Sequence, residues 1–412
     1  MYNYLIFLLL LCSLSNKTYS FKPFKLKLNH KKLFLSNFDK FNNDPIIFEK
    51  DNNETKYYRF GAFPRLETPN DYGELTWYAI GFSKDFSNQP KRIILRENNY
   101  IIWKNKDSYY GLRDVCSHQG SSFQYGCVNS DKIVCPYHGY TFEGNYGKLI
   151  DIPGLKINSN ERQNIQSFKV VEKYGIVYLN TVPITMENFN LIDENRIWIE
   201  PEAKDDLQKP IYLSENFYHY SKFVTVNSLD ICHIGFVHTF GNKKQPNPIC
   251  NSKITKIDDS PFHYKIAYEY IAGEDSIVSK AYKFKNIIVE NEYILPHTTV
   301  ARVKFGNYSS TIITVAQPIT IFSTKLYVKT YRNYWCDNSK SNVFGNIVNY
   351  IGDLITLHTM KTTLNQDKNI IDYLDKRDYD MMHGRFSIKY DMMSNHYKHN
   401  YKKFFEYDKF NF

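Results

Sequence analysis

Short runs of alternating apolar and polar residues occupy the chain from Trp77 to about Asn180. Asn, Gly and Asp separate these runs, and this spacing is typical of short β-strands joined by tight turns. The pattern predicts a small β sandwich or barrel built from seven runs, namely WYAIGF, RIILREN, YIIWKN, YYGLRDV, KIVCPYHGYTF, KLIDIPG and FKVVEKYGIVYLN. Further alternating runs between residues 250 and 335 predict a large antiparallel sheet.

The segment from Phe344 to Lys376 has a longer period, because its apolar positions recur every three or four residues. This period predicts a helix with one apolar stripe, formed by Tyr350, Leu354, Leu357, Met360, Leu364, Asp367, Ile371 and Leu374. Asp367 is the charged member of the stripe. A carboxylate in such a position must be paired or bound to a metal, because burying it alone is unfavourable.

The positive charge of the chain is concentrated at its N-terminus. The 412 residues carry a formal charge of +9, but the first 38 contain six Lys and no acidic residue. Without them the balance is 46 basic against 43 acidic residues, or +3, which leaves no argument for a nucleic-acid partner. The length suggests two or three domains. No apolar run reaches about 20 residues, which excludes a multi-span membrane protein, and we expect no transmembrane segment in the mature chain.

The N-terminal region has the features of a targeting leader. Residues 1–20 contain a short apolar run followed by small residues, which predicts a signal peptide. Residues 21–45 begin with a basic stretch rich in Phe and Leu, which is typical of a transit peptide. Together they resemble the bipartite leader of proteins sent to a secondary plastid. We expect a plastid location, with the endoplasmic reticulum or secretory pathway as the alternative, and we interpret residues 46–73 as a linker.

Two Cys–His pairs lie within the predicted sandwich. Cys116 and His118 form a C-x-H motif, and after sixteen intervening residues Cys135 and His138 form a C-x-x-H motif. Two thiolates and two imidazoles on paired loops can bind a metal through four ligands. These ligand types would also suit zinc, but zinc fingers usually pair Cys with Cys and His with His.

This arrangement, with the C-P-Y-H-G run and the closing strand YGIVYLN, resembles a Rieske [2Fe–2S] domain over residues 74–182. The resemblance implies one [2Fe–2S] cluster held by all four motif residues. Respiratory-chain Rieske proteins carry one more Cys on each loop, where this sequence has Ser121 and Tyr137, so the domain resembles the oxygenase type. Tyr140 replaces a Trp found in many relatives. We expect Cys127, between the loops, to be a buried free thiol.

A second group of metal-binding residue types follows the predicted Rieske domain. The segment from residue 211 to 240 contains the motif N-x-x-D-x-x-H-x-x-x-x-H, formed by Asn227, Asp230, His233 and His238. On a helix Asp230 and His233 would share one face. His238 would lie about 140° further round, so a bulge or helix end is expected between the two His residues.

Two His residues need a carboxylate to complete the facial triad of a non-haem Fe(II) oxygenase. Rieske oxygenases supply it as an Asp on a late helix, so Asp367 is the predicted third ligand, with Asp353 and Asp372 as alternatives. The resemblance extends to the C-terminus and assigns residues 200–412 to a mononuclear iron catalytic domain. The implied fold is α+β, in which an all-β Rieske domain precedes a helix-grip-like domain with a large antiparallel sheet and a long C-terminal helix.

The resemblance to Rieske non-haem iron oxygenases also implies partners. An external ferredoxin or reductase would reduce the cluster, and O₂ would be the co-substrate. Asp230 would relay electrons between a cluster His of one subunit and an iron His of its neighbour, with Asn227 in a supporting role. This relay implies a homotrimer.

The group that this sequence most resembles contains pheophorbide a oxygenase, chlorophyllide a oxygenase and vanillate demethylase. We therefore expect a tetrapyrrole or another apolar or aromatic substrate. A sterol desaturase is one alternative. Another is a plastid translocon-associated redox protein, although an electron carrier has no need of His233, His238 and Asp367.

Overall fold

The structure is a computed structural model. It describes residues 47–51, 54–58, 67–69, 76–156, 163–205, 209–249, 253–257, 262–274, 279–280, 284–336, 343–376 and 387–407. The predicted signal peptide and transit peptide lie outside the described residues, and so does Cys250.

The chain divides into two compact units, Met1–Phe63 and Pro64–Phe412. In the first unit, strands β1 (Ile47–Asp51) and β2 (Glu54–Tyr58) form an antiparallel hairpin. The second unit begins with strand β3 (Glu67–Pro69) and contains both predicted metal sites.

Between residues 76 and 183 the described chain forms ten strands. They are β4 (Trp77–Phe82), β5 (Lys91–Leu95), β6 (Asn98–Asn105), β7 (Ser108–Arg113), β8 (Cys127–Asn129), β9 (Lys132–Val134), β10 (Thr141–Glu143), β11 (Leu149–Asp151), β12 (Ser167–Lys173) and β13 (Ile176–Pro183). A six-stranded sheet has the order β4-β13-β12-β7-β6-β5, and a four-stranded sheet has the order β11-β10-β9-β8. A buried cluster that includes Trp103, Phe123 and Phe142 lies beside Cys116 and Cys135, so the two thiols sit against an apolar core.

The sequence runs predicted the position of this sandwich but merged some of its strands. The run KIVCPYHGYTF contains β9, a loop and β10, because the metal-ligand motif interrupts the alternation. The run FKVVEKYGIVYLN contains β12 and β13, which meet at a turn where Tyr174 and Gly175 both have positive φ.

The remainder of the second unit forms a sheet with helices. Its elements are β14 (Ile211–Phe217), α1 (Ser221–Leu229), α2 (Ile234–Val237), β15 (Thr255–Lys256), β16 (His263–Ile271), β17 (Asn286–Ile294), β18 (Thr298–Phe305), β19 (Tyr308–Thr320), β20 (Ser323–Arg332), α3 (Val343–Ile371), α4 (Met392–Phe404) and β21 (Phe405–Tyr407). The antiparallel sheet has the order β14-β20-β19-β18-β17-β16-β15, and β21 pairs with β3.

Strand β4 joins the two parts of this unit. All six of its residues are buried, although it lies at the edge of the six-stranded sheet. Ala79 and Phe82 pack in one cluster with Val300, Ile313 and Tyr327 of the seven-stranded sheet, so β4 contributes side chains to a core shared by the two sheets. This shared core fixes the two sheets relative to each other.

Helices α1 and α3 pack against the large sheet. Val224 of α1 and Leu364 and Ile371 of α3 share a buried cluster with sheet residues. The apolar stripe predicted on α3 is therefore correct for its second half as far as Ile371, where the helix ends, whereas Leu374 beyond it is 36% exposed. The predicted stripe is wrong for the first half, because Tyr350 is 64% exposed and Leu354 is 48% exposed. Helical period alone cannot show where along a long helix the packing partner ends.

The predicted α+β fold class is confirmed by these antiparallel sheets and by the 29-residue helix α3. Within the described residues, no helix is both long enough and apolar enough to cross a membrane.

Candidate metal centres

The two Cys–His loops have the same backbone design. In the first loop, Cys116 N–H donates to the Ser121 carbonyl at 2.9 Å, and in the second, Cys135 N–H donates to the Tyr140 carbonyl at 2.8 Å. Gly120 N–H donates to the Cys116 carbonyl, and Gly139 N–H donates to the Cys135 carbonyl. Both loops therefore present a Cys and a His in matching positions.

Each loop needs its glycine. Gly120 and Gly139 both have φ +74°, in the left-handed region that favours Gly over residues with a side chain. The sequence shows this requirement directly, since each C-x-H or C-x-x-H motif is followed closely by Gly.

The four side chains converge between the loops. The Cys116 and Cys135 thiols are buried, whereas His118 and His138 are exposed. The Nδ1 atoms of the two His residues lie 3.1 Å apart. Burial, together with the neighbouring Cys135 thiol, raises the pKa of Cys116 to about 11. Two buried thiols and two imidazole nitrogens facing one point are a donor set suited to a metal cluster, which would hold both sulfurs as thiolates.

Two residues support the first loop and its histidine. Asp114 is buried and accepts hydrogen bonds from Ser122 Oγ and from Phe123 N–H, both at 2.7 Å. Tyr140 stacks on the His118 ring, with centroids 4.5 Å apart and planes inclined by 3°. The sequence does not mark Asp114, because a lone Asp next to a strand carries no spacing signal. The structure corrects the prediction for Cys127, which is free but exposed, since it lies on the short strand β8.

The second centre is formed by three residues placed by two helices, α2 and α3. His233 precedes α2, His238 follows it, and Asp367 lies in the last two turns of α3. The His233 and His238 Nε2 atoms are 3.2 Å apart, and Asp367 Oδ1 lies 3.5 Å from the first and 3.6 Å from the second. All three ligand atoms lie within 4.8 Å of one another.

The local backbone explains how residues of irregular spacing converge. Helix α1 ends at Leu229, and Asp230 is its C-cap with extended backbone. The one-turn helix α2 then separates the two His residues, and His238 leaves it in extended conformation. The predicted helix end between His233 and His238 is thus present. The expectation that Asp230 and His233 share one helix is wrong, because the helix stops before Asp230.

Electrostatics in this centre favour a cation. Asp367 Oδ1 is buried without a hydrogen-bond partner. Burial opposes protonation of His233, but the Asp367 and Asp230 carboxylates outweigh it and raise the pKa of His233. Burial lowers the pKa of His238 in spite of Asp367. A buried carboxylate facing two imidazoles, with an unpartnered oxygen, is the donor set of a two-His-one-carboxylate iron site.

The alternatives to Asp367 have other partners. Asp353 Oδ1 lies 2.6 Å from Arg332 Nη2. Asp372 Oδ1 accepts a hydrogen bond from Tyr218 N–H at 2.7 Å. Of the three carboxylates, Asp367 is the one grouped with the two His residues.

The predicted supporting residues flank the centre. Asp230 Oδ2 lies 3.7 Å from His233 Nδ1, and its Oδ1 accepts a hydrogen bond from Cys232 N–H at 2.8 Å. The Asn227 carbonyl accepts a hydrogen bond from Asp230 N–H at 3.2 Å. Its role as a supporting residue stays a prediction.

Comparisons with known proteins bear on the first domain and on the fold. A family model described as the Rieske [2Fe-2S] domain matches residues 76–169. Chlorophyllide a oxygenase, chloroplastic, from Oryza sativa subsp. japonica is 26% identical over 173 residues, covering 40% of this chain and 28% of the relative. Cholesterol 7-desaturase nvd from Hemicentrotus pulcherrimus is 24% identical over 181 residues, covering 39% of this chain and 35% of the relative. The matches span about a third of the length of these curated relatives.

The structural comparison extends over more of the chain. The crystal structure of dicamba monooxygenase bound to dicamba has a TM-score of 0.66 at 15% identity, covering 82% of this chain and 98% of that chain. The chain carries a Rieske domain and has the fold of the Rieske oxygenases. The predicted family resemblance is therefore confirmed. Rieske domains hold a [2Fe–2S] cluster, and the two Cys–His loops lie in the matched region.

Proposed function

We propose that this protein is the oxygenase component of a Rieske non-haem iron system. Cys116, Cys135, His118 and His138 would hold the [2Fe–2S] cluster. His233, His238 and Asp367 would hold one mononuclear Fe(II). The observation that carries the proposal is the convergence of these last three side chains in a chain that also contains a Rieske domain.

When bound, the Fe(II) would supply O₂ activation with electrons that arrive through the cluster. The chain's own residues prepare the site in three ways. Asp367 contributes the negative charge that offsets a cation, and the two Nε2 atoms contribute neutral donors. The surrounding sheet and helix α3 bury the site, since His238 and Asp367 are both less than 10% exposed. This burial limits the access of water to the reacting atoms.

Asp230 supports a route for electrons that crosses a subunit boundary. Its side chain is 36% exposed, yet one oxygen lies 3.7 Å from His233 Nδ1. The cluster residues His118 and His138 are also exposed. A partly exposed carboxylate beside a proposed iron ligand and exposed cluster histidines fit a homotrimer in which Asp230 contacts the cluster of a neighbouring subunit. An external ferredoxin or reductase would supply the electrons to the cluster.

The substrate belongs to the apolar or aromatic class, and a tetrapyrrole is the first candidate. The similarity to chlorophyllide a oxygenase supports this choice. A sterol is the second candidate substrate, which would make the protein a sterol desaturase, and the similarity to two cholesterol 7-desaturases favours it. A redox protein without turnover is disfavoured, because electron transfer alone does not need the three residues of the second centre.

We propose a plastid location. The basic, acid-free leader supports it, and so does the chloroplastic relative. Organelle stroma is also a site of iron–sulfur cluster assembly, whereas the secretory pathway is not. A fluorescent fusion of residues 1–45 tests the location, and retention of this fusion in the endoplasmic reticulum would contradict it.

A single-turnover experiment tests the activity. Protein carrying both metals is reduced, mixed with O₂ and either chlorophyllide a or cholesterol, and the products are analysed by mass spectrometry with ¹⁸O₂. We expect an oxidised product from one substrate class, and the Asp230→Asn variant should keep both metals but lose turnover. Full turnover in Asp230→Asn would contradict the relay role. If the cluster were reduced equally well in the wild type and in Asp230→Asn, and neither formed any product, the redox protein would be favoured.

A further inference from the structure

The outer nitrogen of His238 contacts a residue that is not among the predicted ligands. His238 Nδ1 lies 3.2 Å from Gln366 Oε1. We propose that Gln366 is a positioning residue that fixes the ring orientation and the protonated nitrogen of His238, and through it the metal affinity of the triad. This inference rests on the proposed function, because it assumes that His238 binds a metal through Nε2.

The chemistry of the imidazole gives Gln366 this role. A neutral His has one protonated nitrogen and one with a free lone pair, and the hydrogen bond at one nitrogen sets the state of the other. An acceptor at Nδ1 keeps the proton there and leaves the lone pair on Nε2, which faces His233 and Asp367. If the Gln366 amide presented its NH₂ group instead, the proton would move to Nε2 and block metal binding.

The two His residues of the triad are held by different groups. His233 contacts Asp230, whose backbone hydrogen-bonds to the ring and whose Oδ2 lies 3.7 Å from Nδ1. That distance is beyond an ordinary hydrogen bond. His238 has the Gln366 contact and also stacks on Phe240, with ring centroids 5.0 Å apart and planes inclined by 23°. Gln366 therefore supplies the polar anchor of His238.

The position of Gln366 in the chain adds a second consequence. It precedes Asp367 on helix α3, so consecutive residues supply one ligand and the group that orients another. Successive helical side chains point about 100° apart. One helix can therefore supply Asp367 as a metal ligand and Gln366 as the acceptor at His238 Nδ1, the ring nitrogen that does not face the other ligands.

Metal affinity tests the inference. Co(II) serves as the probe in cluster-containing protein depleted of mononuclear iron, and its affinity is measured by competition with a coloured chelator. Gln366→Leu removes the acceptor at similar size and should weaken Co(II) binding by about 10- to 100-fold. Gln366→Glu keeps an acceptor and adds negative charge, so it should bind at least as tightly as the wild type. The exposed neighbour Asn365 provides the matched control, and Asn365→Leu should leave the affinity unchanged.

A spectroscopic readout separates positioning from a general structural effect. In the Co(II) protein, the Nδ1 proton of His238 should give an exchangeable, paramagnetically shifted NMR signal. This signal should be lost through solvent exchange in Gln366→Leu and remain in Gln366→Glu. If Gln366→Leu does not fold, Gln366→Asn replaces it, because its shorter amide cannot reach Nδ1 and should cause the same loss.

The two levels of the proposal fail in different ways. Wild-type protein that binds no Co(II) at the triad would contradict the proposed function. Wild-type binding that is unchanged in Gln366→Leu, with the His238 proton signal retained, would overturn the positioning role alone.

Discussion

Replacing Asp367 by Leu should have opposite effects on stability with and without metal. The Asp367 side chain is 11% exposed, and its Oδ1 is buried without a hydrogen-bond partner. An unsatisfied buried polar group costs about 1–3 kcal/mol. The attraction to His233, whose pKa Asp367 helps to raise, offsets part of this cost. The variant without mononuclear iron should therefore be at least as stable as the wild type, with a gain of up to about 3 kcal/mol.

Metal reverses the order. A ligand at 1,000 times its Kd stabilises the folded state by about 4.1 kcal/mol, which exceeds the largest gain expected for the variant without metal. The wild type should gain this amount from anaerobic Fe(II), and Asp367→Leu should gain little. The assay is urea unfolding followed by circular dichroism, with and without Fe(II), in protein that retains its cluster.

Asp372 provides the control on the same helix. Its carboxylate accepts a hydrogen bond from Tyr218 N–H at 2.7 Å and lies 3.4 Å from Lys368 Nζ. Asp372→Leu should lose about 1 kcal/mol in both conditions and keep the gain from Fe(II). The reasoning would be refuted if Asp367→Leu were clearly destabilised without metal and still stabilised by Fe(II) as strongly as the wild type.

Three further predictions concern other parts of the chain. Cys135→Ser should abolish the Rieske electron paramagnetic resonance (EPR) signal while Co(II) still binds at the triad, and loss of both would argue against separate centres. Lys329 Nζ lies 2.5 Å from Glu200 Oε1, and both side chains are buried. Lys329→Met should therefore lower the free energy of unfolding in urea by about 3–5 kcal/mol, because it leaves the Glu200 charge buried and unpaired. The double variant Lys329→Met/Glu200→Gln should lose less, and an equal loss would contradict this cause. Burial lowers the pKa of His297 to about 3, so the native ring stays neutral while the unfolded chain takes up a proton below pH ~6.5. Relative to His297→Gln, the free energy of unfolding of the wild type should therefore fall by about 1.4 kcal/mol per pH unit from pH 6 to pH 4. Parallel pH profiles of the two proteins would contradict this.

The Cys–His ligand motifs could be predicted from the sequence because the residues of each pair are close together along the chain. Cys116 and His118, and likewise Cys135 and His138, lie on single loops whose glycines mark the turn. Sequence reasoning reached Asp367 by a different signal, a charged residue at a buried position of a helical period.

Residues that act across elements were not accessible in this way. Gln366 contacts His238 over a separation of 128 positions, and nothing in its neighbourhood marks it. Asp114 is recognisable only when the loop that it holds has folded beside it. The exposure of Cys127 and of Tyr350 depends on where a packing partner ends, which a single element's period cannot reveal.

The coexistence of a Rieske cluster and a separate mononuclear iron in one chain can be measured directly. Iron analysis combined with EPR of the dithionite-reduced protein should be performed on the wild type and on His233→Ala. The wild type should show a Rieske signal and one iron beyond the two of the cluster, and His233→Ala should lose that one iron and keep the signal. A wild-type protein with the Rieske signal but no additional iron, or with tetrahedral zinc at Cys116, would contradict the proposed oxygenase.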